Sequence, residues 1–189
     1  MVAGGGVRNA VTYARARWGF ALCAALLAFA IQTSLLAPLS VGGIRPDLVL
    51  VVVVAFALHY GPLEGLLLGL AVGFAVDVYG GRLIGMGGLS KLVSGAVAGV
   101  MGEKVFREHV LVPAAIAGAA SFTGNLVYLA LVRAFGIGWP ILHGVQHVIF
   151  PSAAYDALAC LILYPLLARV YRMSDRLDEG RRMRSVDGG

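Results

Sequence analysis

Charge is scarce in this sequence. Asp, Glu, Lys and Arg make up 13% of its 189 residues, where a soluble domain carries about 25%. A water-exposed surface of ordinary composition is therefore excluded. Cysteine is scarcer still. Cys23 and Cys160 are the only two, both inside apolar blocks, with neither a disulfide framework nor a metal-binding spacing. Catalytic signatures are missing as well: no phosphate-cradling Gly-Lys-Ser/Thr loop, no Gly-x-Ser-x-Gly turn and no His-Glu-x-x-His helix. Of the histidines His59, His109, His143 and His147, only His143 and His147 stand at ligand spacing, without a third ligand nearby. No enzymatic activity, cofactor or metal is expected.

What the chain does have is apolar residues, 59% of the total, arranged in long blocks where a soluble helix would show a stripe. The expected fold is all-α, a polytopic bundle of six transmembrane helices. Proline and glycine punctuate it. The spans are expected at about Trp18–Ala37, Pro46–His59, Leu63–Tyr79, Gly87–Met101, Val110–Phe135 and Gln146–Val170. Bends are expected at Pro151 and Pro165. The first block follows basic residues but is too long for a signal-peptide core, so it reads as a retained helix. Residues 1–17 and 173–189 form tails around an 18–172 membrane domain. The composition from Ser174 onward predicts a disordered segment.

The net charge of +5 is concentrated in and beside those tails, in Arg8, Arg15 and Arg17 and in Arg169 through Arg184. Basic tails mark the cytoplasmic side of a membrane protein. An even number of spans puts both tails there, and nucleic-acid binding is not expected. The loops near Val41, Gly81 and Gly138 then face outward. The loop with Glu103, Lys104, Arg107, Glu108 and His109 faces inward.

Several polar groups fall within or beside the spans, where they are costly and need a partner, a cavity or a pathway. Arg45, Asp47, Asp77, Lys91, Asn125, His147 and Asp156 all map to the outer half and are the candidate site residues. Asp77, Lys91 and Asp156 could form internal ion pairs, or the group could line an outward cavity for a ligand or a partner's helix. Gly65, Gly69 and Gly73 recur every four residues on the third helix, as Gly95 and Gly99 do on the fourth. Such small-residue ridges let backbones approach closely. Ser121, Asn125 and Tyr128 share one face of the fifth helix.

The run Arg45-Pro46-Asp47-Leu48 before a valine helix resembles the MreD family of bacterial rod shape-determining membrane proteins. The resemblance continues through Gly61-Pro62-Leu63-Glu64-Gly65, Gly69, Gly73-Phe74 and Asp77 to Gly80-Gly81 and Leu83-Ile84-Gly85-Met86. It implies a six-helix fold similar to the S components of energy-coupling-factor transporters, in the bacterial cytoplasmic membrane. It further implies a scaffold role in cell elongation. Its partner would be MreC, a single-span protein, and through it the MreB filament and the RodA glycosyltransferase with its transpeptidase. The family brings no catalytic residues to carry over. Lys91 departs from the family pattern, which has an apolar or aromatic residue there, and suggests a pair with Asp77 or Asp156. A second reading is a solute-binding transporter subunit using the same outer cavity, to which the Ala-x-x-x-Ala spacings of Ala21, Ala24, Ala25 and Ala28 add little.

Overall fold

A computed structural model describes the backbone of residues 4–34, 44–80, 85–104, 111–136 and 145–187, and the side chains of 17–34, 44–80, 85–103, 111–136 and 145–173. The expected loops at Val41, Gly81, Arg107 to His109 and Gly138 lie outside the described residues, as do Leu83, Ile84 and His143. Six helices make up the described chain: α1 (Gly4–Ser34), α2 (Leu48–Tyr60), α3 (Pro62–Gly80), α4 (Met86–Lys104), α5 (Leu111–Ala134) and α6 (Phe150–Asp187). A single π turn, Val145–Ile149, leads directly into α6.

Local chemistry sets the helix ends. The Asp47 side chain accepts from the Leu50 N–H and caps α2, satisfying a donor that a helix start leaves open. At the other end Gly61 adopts φ 104° and donates its N–H to Ala57 O. Pro62 then opens α3 at the position where a missing N–H costs nothing. Pro151 lies in the first turn of α6, just after the π turn, so the irregularity expected there takes that form. Pro165 is inside α6. The helical backbone of α6 continues to Asp187, through the segment expected to be a disordered tail. Likewise α1 begins at Gly4, ahead of the expected Trp18.

The helices are not six equal spans. Four are long and apolar enough to cross a membrane, with spanning segments Arg17–Ser34, Pro62–Gly80, Leu111–Ala134 and Val145–Met173. At 13 residues, α2 is about 20 Å long, well short of a hydrocarbon core about 30 Å thick. With 19 residues α4 has the length but not the apolar composition, because it carries Lys91, Glu103 and Lys104. Burial explains both departures. Every residue of α2 from Leu48 to Leu58 is buried, so it is the hub of the bundle and meets protein on all sides. One flank packs on Ala21, Ala25 and Ala28 of α1, Leu68 and Val72 of α3, and Tyr171 of α6. The other packs on Ala98 of α4, Ile116, Ala117 and Ala120 of α5, and Cys160 of α6. Large apolar side chains such as Leu26, Leu63, Phe74, Leu158 and Ile162 point outward instead, as a lipid-facing surface requires.

The closest approach is between α3 and α4. A Cβ at Gly69 would meet the carbonyl of Lys91, and one at Gly95 the carbonyl of Gly65. Gly73 faces the Gly87–Gly88 backbone and Gly99 faces Pro62 in the same way. Glycine ridges on both helices thus mesh with no side chain between them.

Two clusters mark the ends of the bundle. At one end Arg17 pairs with Glu64 at 2.6 Å and lies over the Tyr60 ring, beside Phe56 and Tyr171. At the opposite end the Gln32 side chain accepts from the Leu48 N–H and the polar candidates gather. Adding a methyl to the α3–α4 seam, as Gly69→Ala or Gly95→Ala, is expected to cost about 1–3 kcal/mol through overpacking. Gly19→Ala, where a Cβ meets nothing within 4 Å, is expected to be neutral. Thermal unfolding in detergent separates the two cases.

Candidate functional site

Because α2 is short and starts inside the bundle, space remains beyond its first turn. That space is a cavity of about 700 Å³, within the range of about 300–1,000 Å³ typical of ligand sites. Every helix contributes to its wall. The apolar part includes Phe29, Val76 and Tyr79, and the polar part includes Gln32, Arg45, Asp47, Lys91, Asn125 and Asp156.

Asp47 is the centre of the polar wall. One carboxylate oxygen caps α2 through Leu50 N at 3.0 Å. The other binds Lys91 Nζ of α4 at 2.6 Å. Its backbone N–H donates to Asp156 Oδ1 of α6 at 2.6 Å. Asp156, itself buried, accepts from the Ser121 hydroxyl of α5 at 2.5 Å with its second oxygen. Asn125 Nδ2 donates to that hydroxyl in turn at 3.1 Å. A continuous hydrogen-bonded chain therefore joins α2, α4, α5 and α6. Both members of the ion pair are largely buried, with side chains 13% (Lys91) and 28% (Asp47) exposed.

Sequence reasoning expected Lys91 to pair with Asp77 or Asp156, and the structure corrects this. The partner is Asp47, and the reason lies in the position of Asp77. That side chain is aimed along α3 at the start of α4, where one oxygen accepts from the N–H groups of Gly85, Gly87 and Gly88 at 3.0, 2.8 and 3.2 Å. An aspartate from α3 thus caps α4, occupying donors that the α4 start would leave open. The fit requires glycine at 87, where a Cβ would strike the Asp77 carboxylate. Gly85 meanwhile takes φ 101°, a conformation that favours glycine.

Of the candidate residues, Arg45, Asp47, Lys91, Asn125 and Asp156 share the cavity. Asp77 is buried beside it with its carboxylate engaged on α4. His147 sits exposed on the π turn and is not part of the wall. Gln32, Thr33, Ser90, Ser94 and Ser152, none of them a candidate site residue from sequence, also line the cavity. Two of them also join α4 to α5: Ser90 Oγ donates to Gly124 O and Ser94 Oγ to Ala120 O, both at 2.8 Å. The readable signal was the Ser90/Ser94 spacing, which places both hydroxyls on one helix face. Among the described residues no group of three His, Cys, Asp or Glu side chains could hold a metal ion.

Removing the α4 cap tests this arrangement. Asp77→Ala is expected to lower stability by at least the roughly 1 kcal/mol of an ordinary N-cap loss, since three donors lose a charged acceptor. Asp77→Asn, which keeps an acceptor oxygen, is expected to lose less. Thermal unfolding of the two variants in detergent gives the comparison.

The family described as rod shape-determining protein MreD matches residues 14–174. No curated protein and no solved structure shows a significant match. The matched stretch takes in all the described spanning segments and every residue of the Asp47–Lys91–Asp156 chain. With four apolar helices long enough to cross a membrane and a family match over most of its length, the chain belongs to the MreD family of rod shape-determining membrane proteins.

Proposed function

We propose that this protein is a non-enzymatic membrane scaffold of the bacterial cell-elongation machinery, which binds MreC and helps organise peptidoglycan synthesis. MreB, RodA and the transpeptidase would be reached indirectly, through MreC. In this reading all six helices cross the cytoplasmic membrane and both termini are cytoplasmic. A buried hub such as α2 need not match the bilayer thickness, because its ends meet protein rather than lipid. Two features support the orientation. Arg17 and Tyr171, near the expected tails, lie at the same end of the bundle, and basic residues favour the cytoplasmic side. The cavity then opens toward the exterior, where the external domain of a single-span partner would sit.

The observation that carries the scaffold reading is the cross-linked cavity wall. Four helices are tied to one another by the Lys91–Asp47–Asp156–Ser121 chain, which gives a fixed polar surface for another protein to dock on. The cavity's size also favours the solute-binding reading, in which a small molecule occupies the same space. The fold likeness to energy-coupling-factor S components, which the family resemblance implies, would be common to both readings.

Purification of the full-length protein from its native membrane in mild detergent separates the two, with mass spectrometry of proteins and small molecules. The scaffold reading expects MreC in near-equal amount, together with wall-synthesis enzymes. Recovery of an ATPase-linked transport subunit, or of a tightly held small molecule without MreC, contradicts it.

A further inference from the structure

The outward face of α6 is apolar for most of its length and then changes character. Leu158, Ile162 and Leu166 recur every four residues and are all exposed, Ile162 by 78%, so they form a stripe on one helix face. No described residue covers that stripe, and a bilayer puts lipid chains against it. The same face continues through Arg169, which is exposed, to Met173, which is 67% exposed. Arg172, one turn beyond Arg169, is exposed beside it.

Length places the two arginines at the edge of the bilayer. The spanning segment Val145–Met173 has 29 residues, about 44 Å of helix, against a hydrocarbon core about 30 Å thick. Centred in the core, it overhangs by about 7 Å at each end, roughly the last four or five residues. Arg169 thus stands at the boundary and Arg172 in the headgroup layer. Their long apolar stems let both guanidinium groups reach outward from the chains.

Neither charge is answered within the protein. Among the described residues Arg169 has no hydrogen bond or ion pair, and Arg172 donates only its Nε–H, to Ala168 O of its own helix. At this end of the bundle Glu64 is already held by Arg17. Asp175 lies one turn past Arg172 but six residues from Arg169, outside the three-to-four-residue spacing at which helix side chains meet. Two like charges a turn apart repel, and each guanidinium offers paired N–H donors that match phosphate oxygens. On a face lined by lipid, the anions at this depth are phospholipid phosphates. The phosphate of an anionic headgroup is the better match, because that of phosphatidylethanolamine already has an ammonium beside it.

We propose that Arg169 and Arg172 bind the phosphate of an anionic phospholipid, with an acyl chain laid along Leu158, Ile162 and Leu166. In the orientation proposed above, that lipid belongs to the cytoplasmic leaflet. The site depends on insertion of α6 in a membrane and not on the scaffold reading.

The test titrates the full-length protein in mild detergent with phosphatidylglycerol or phosphatidylethanolamine of matched chains, and counts bound lipid by native mass spectrometry. The parent should hold its first phosphatidylglycerol on the order of tenfold more tightly than phosphatidylethanolamine, as two arginines near a lipid surface provide. Arg169→Gln combined with Arg172→Gln should remove most of that preference, with an unchanged melting temperature in lipid-free detergent. Lys at both positions should keep part of it. Arg133→Gln, which changes an exposed arginine in the last turn of α5 beyond the cavity residue Asn125, should leave the preference intact. Glycerol phosphate at the same concentration should not displace the lipid, because it lacks the chains. Equal retention of both lipids by the parent, or a preference that survives in the double Gln variant, overturns the site. An equal loss in Arg133→Gln also overturns it, since overall charge would then be what is read. Displacement by glycerol phosphate overturns the lipid as occupant.

Discussion

A short helix buried on every side needs something to hold its exposed end, and in this protein Asp47 does so. The α2 N-terminus starts inside the bundle, where its first N–H groups have no partner within the helix. Asp47 caps it, Gln32 takes the Leu48 N–H, and Asp156 takes the N–H of Asp47 itself. The negative charge this concentrates is balanced by Lys91. A buried ion pair gains little over a well-packed apolar pair, but loss of one partner leaves an uncompensated charge. The four helices around α2 are therefore committed to one arrangement at this end, and the cavity is the space that arrangement leaves.

The other end and the α3–α4 seam are held by different physics. Glycine faces glycine along the seam, so association there rests on backbone contact and dispersion, the terms that remain where lipid removes the hydrophobic drive. Asp77 adds an electrostatic latch by capping α4 from α3. At the Arg17–Glu64 end, rings and an ion pair gather around Tyr171. Among the described residues, one end is thus packed with aromatics and the other is lined by polar groups.

Much of this was legible in the chain. Long apolar blocks, Gly61-Pro62 and the glycine ridges specify helices, one break and one close seam through local rules, and the structure shows six helices with that seam. The polar residues Asp47, Lys91, Asn125 and Asp156 stand out by type alone, because charge is rare within spans. Their pairing did not. Whether Lys91 meets Asp47 or Asp77 depends on helix rotation, and that is decided by which carboxylate already has N–H partners. Asp77 has three, from Gly85 and the first turn of α4, a cap supplied by another helix that no spacing rule describes. Gln32 and Thr33 were hidden at the end of an apolar block, where polar residues ordinarily signal only a helix stop. The helical continuation of α6 to Asp187 opposes its composition, since propensity is a weak guide beside a long preceding helix.

The central claim is that the Asp47–Lys91 pair anchors the buried start of α2, and a double-mutant cycle measures it most directly. Asp47→Asn keeps a capping side chain while removing the charge, and Lys91→Met keeps the length of the stem. Lys91→Met alone should cost about 3–5 kcal/mol, as expected for an orphaned buried charge. With Asp47→Asn in place the same change should cost far less, giving a coupling well above the roughly 0.5 kcal/mol of independent sites. If the two losses simply add in thermal unfolding, the pair does not anchor α2 and the account of the cavity end is wrong.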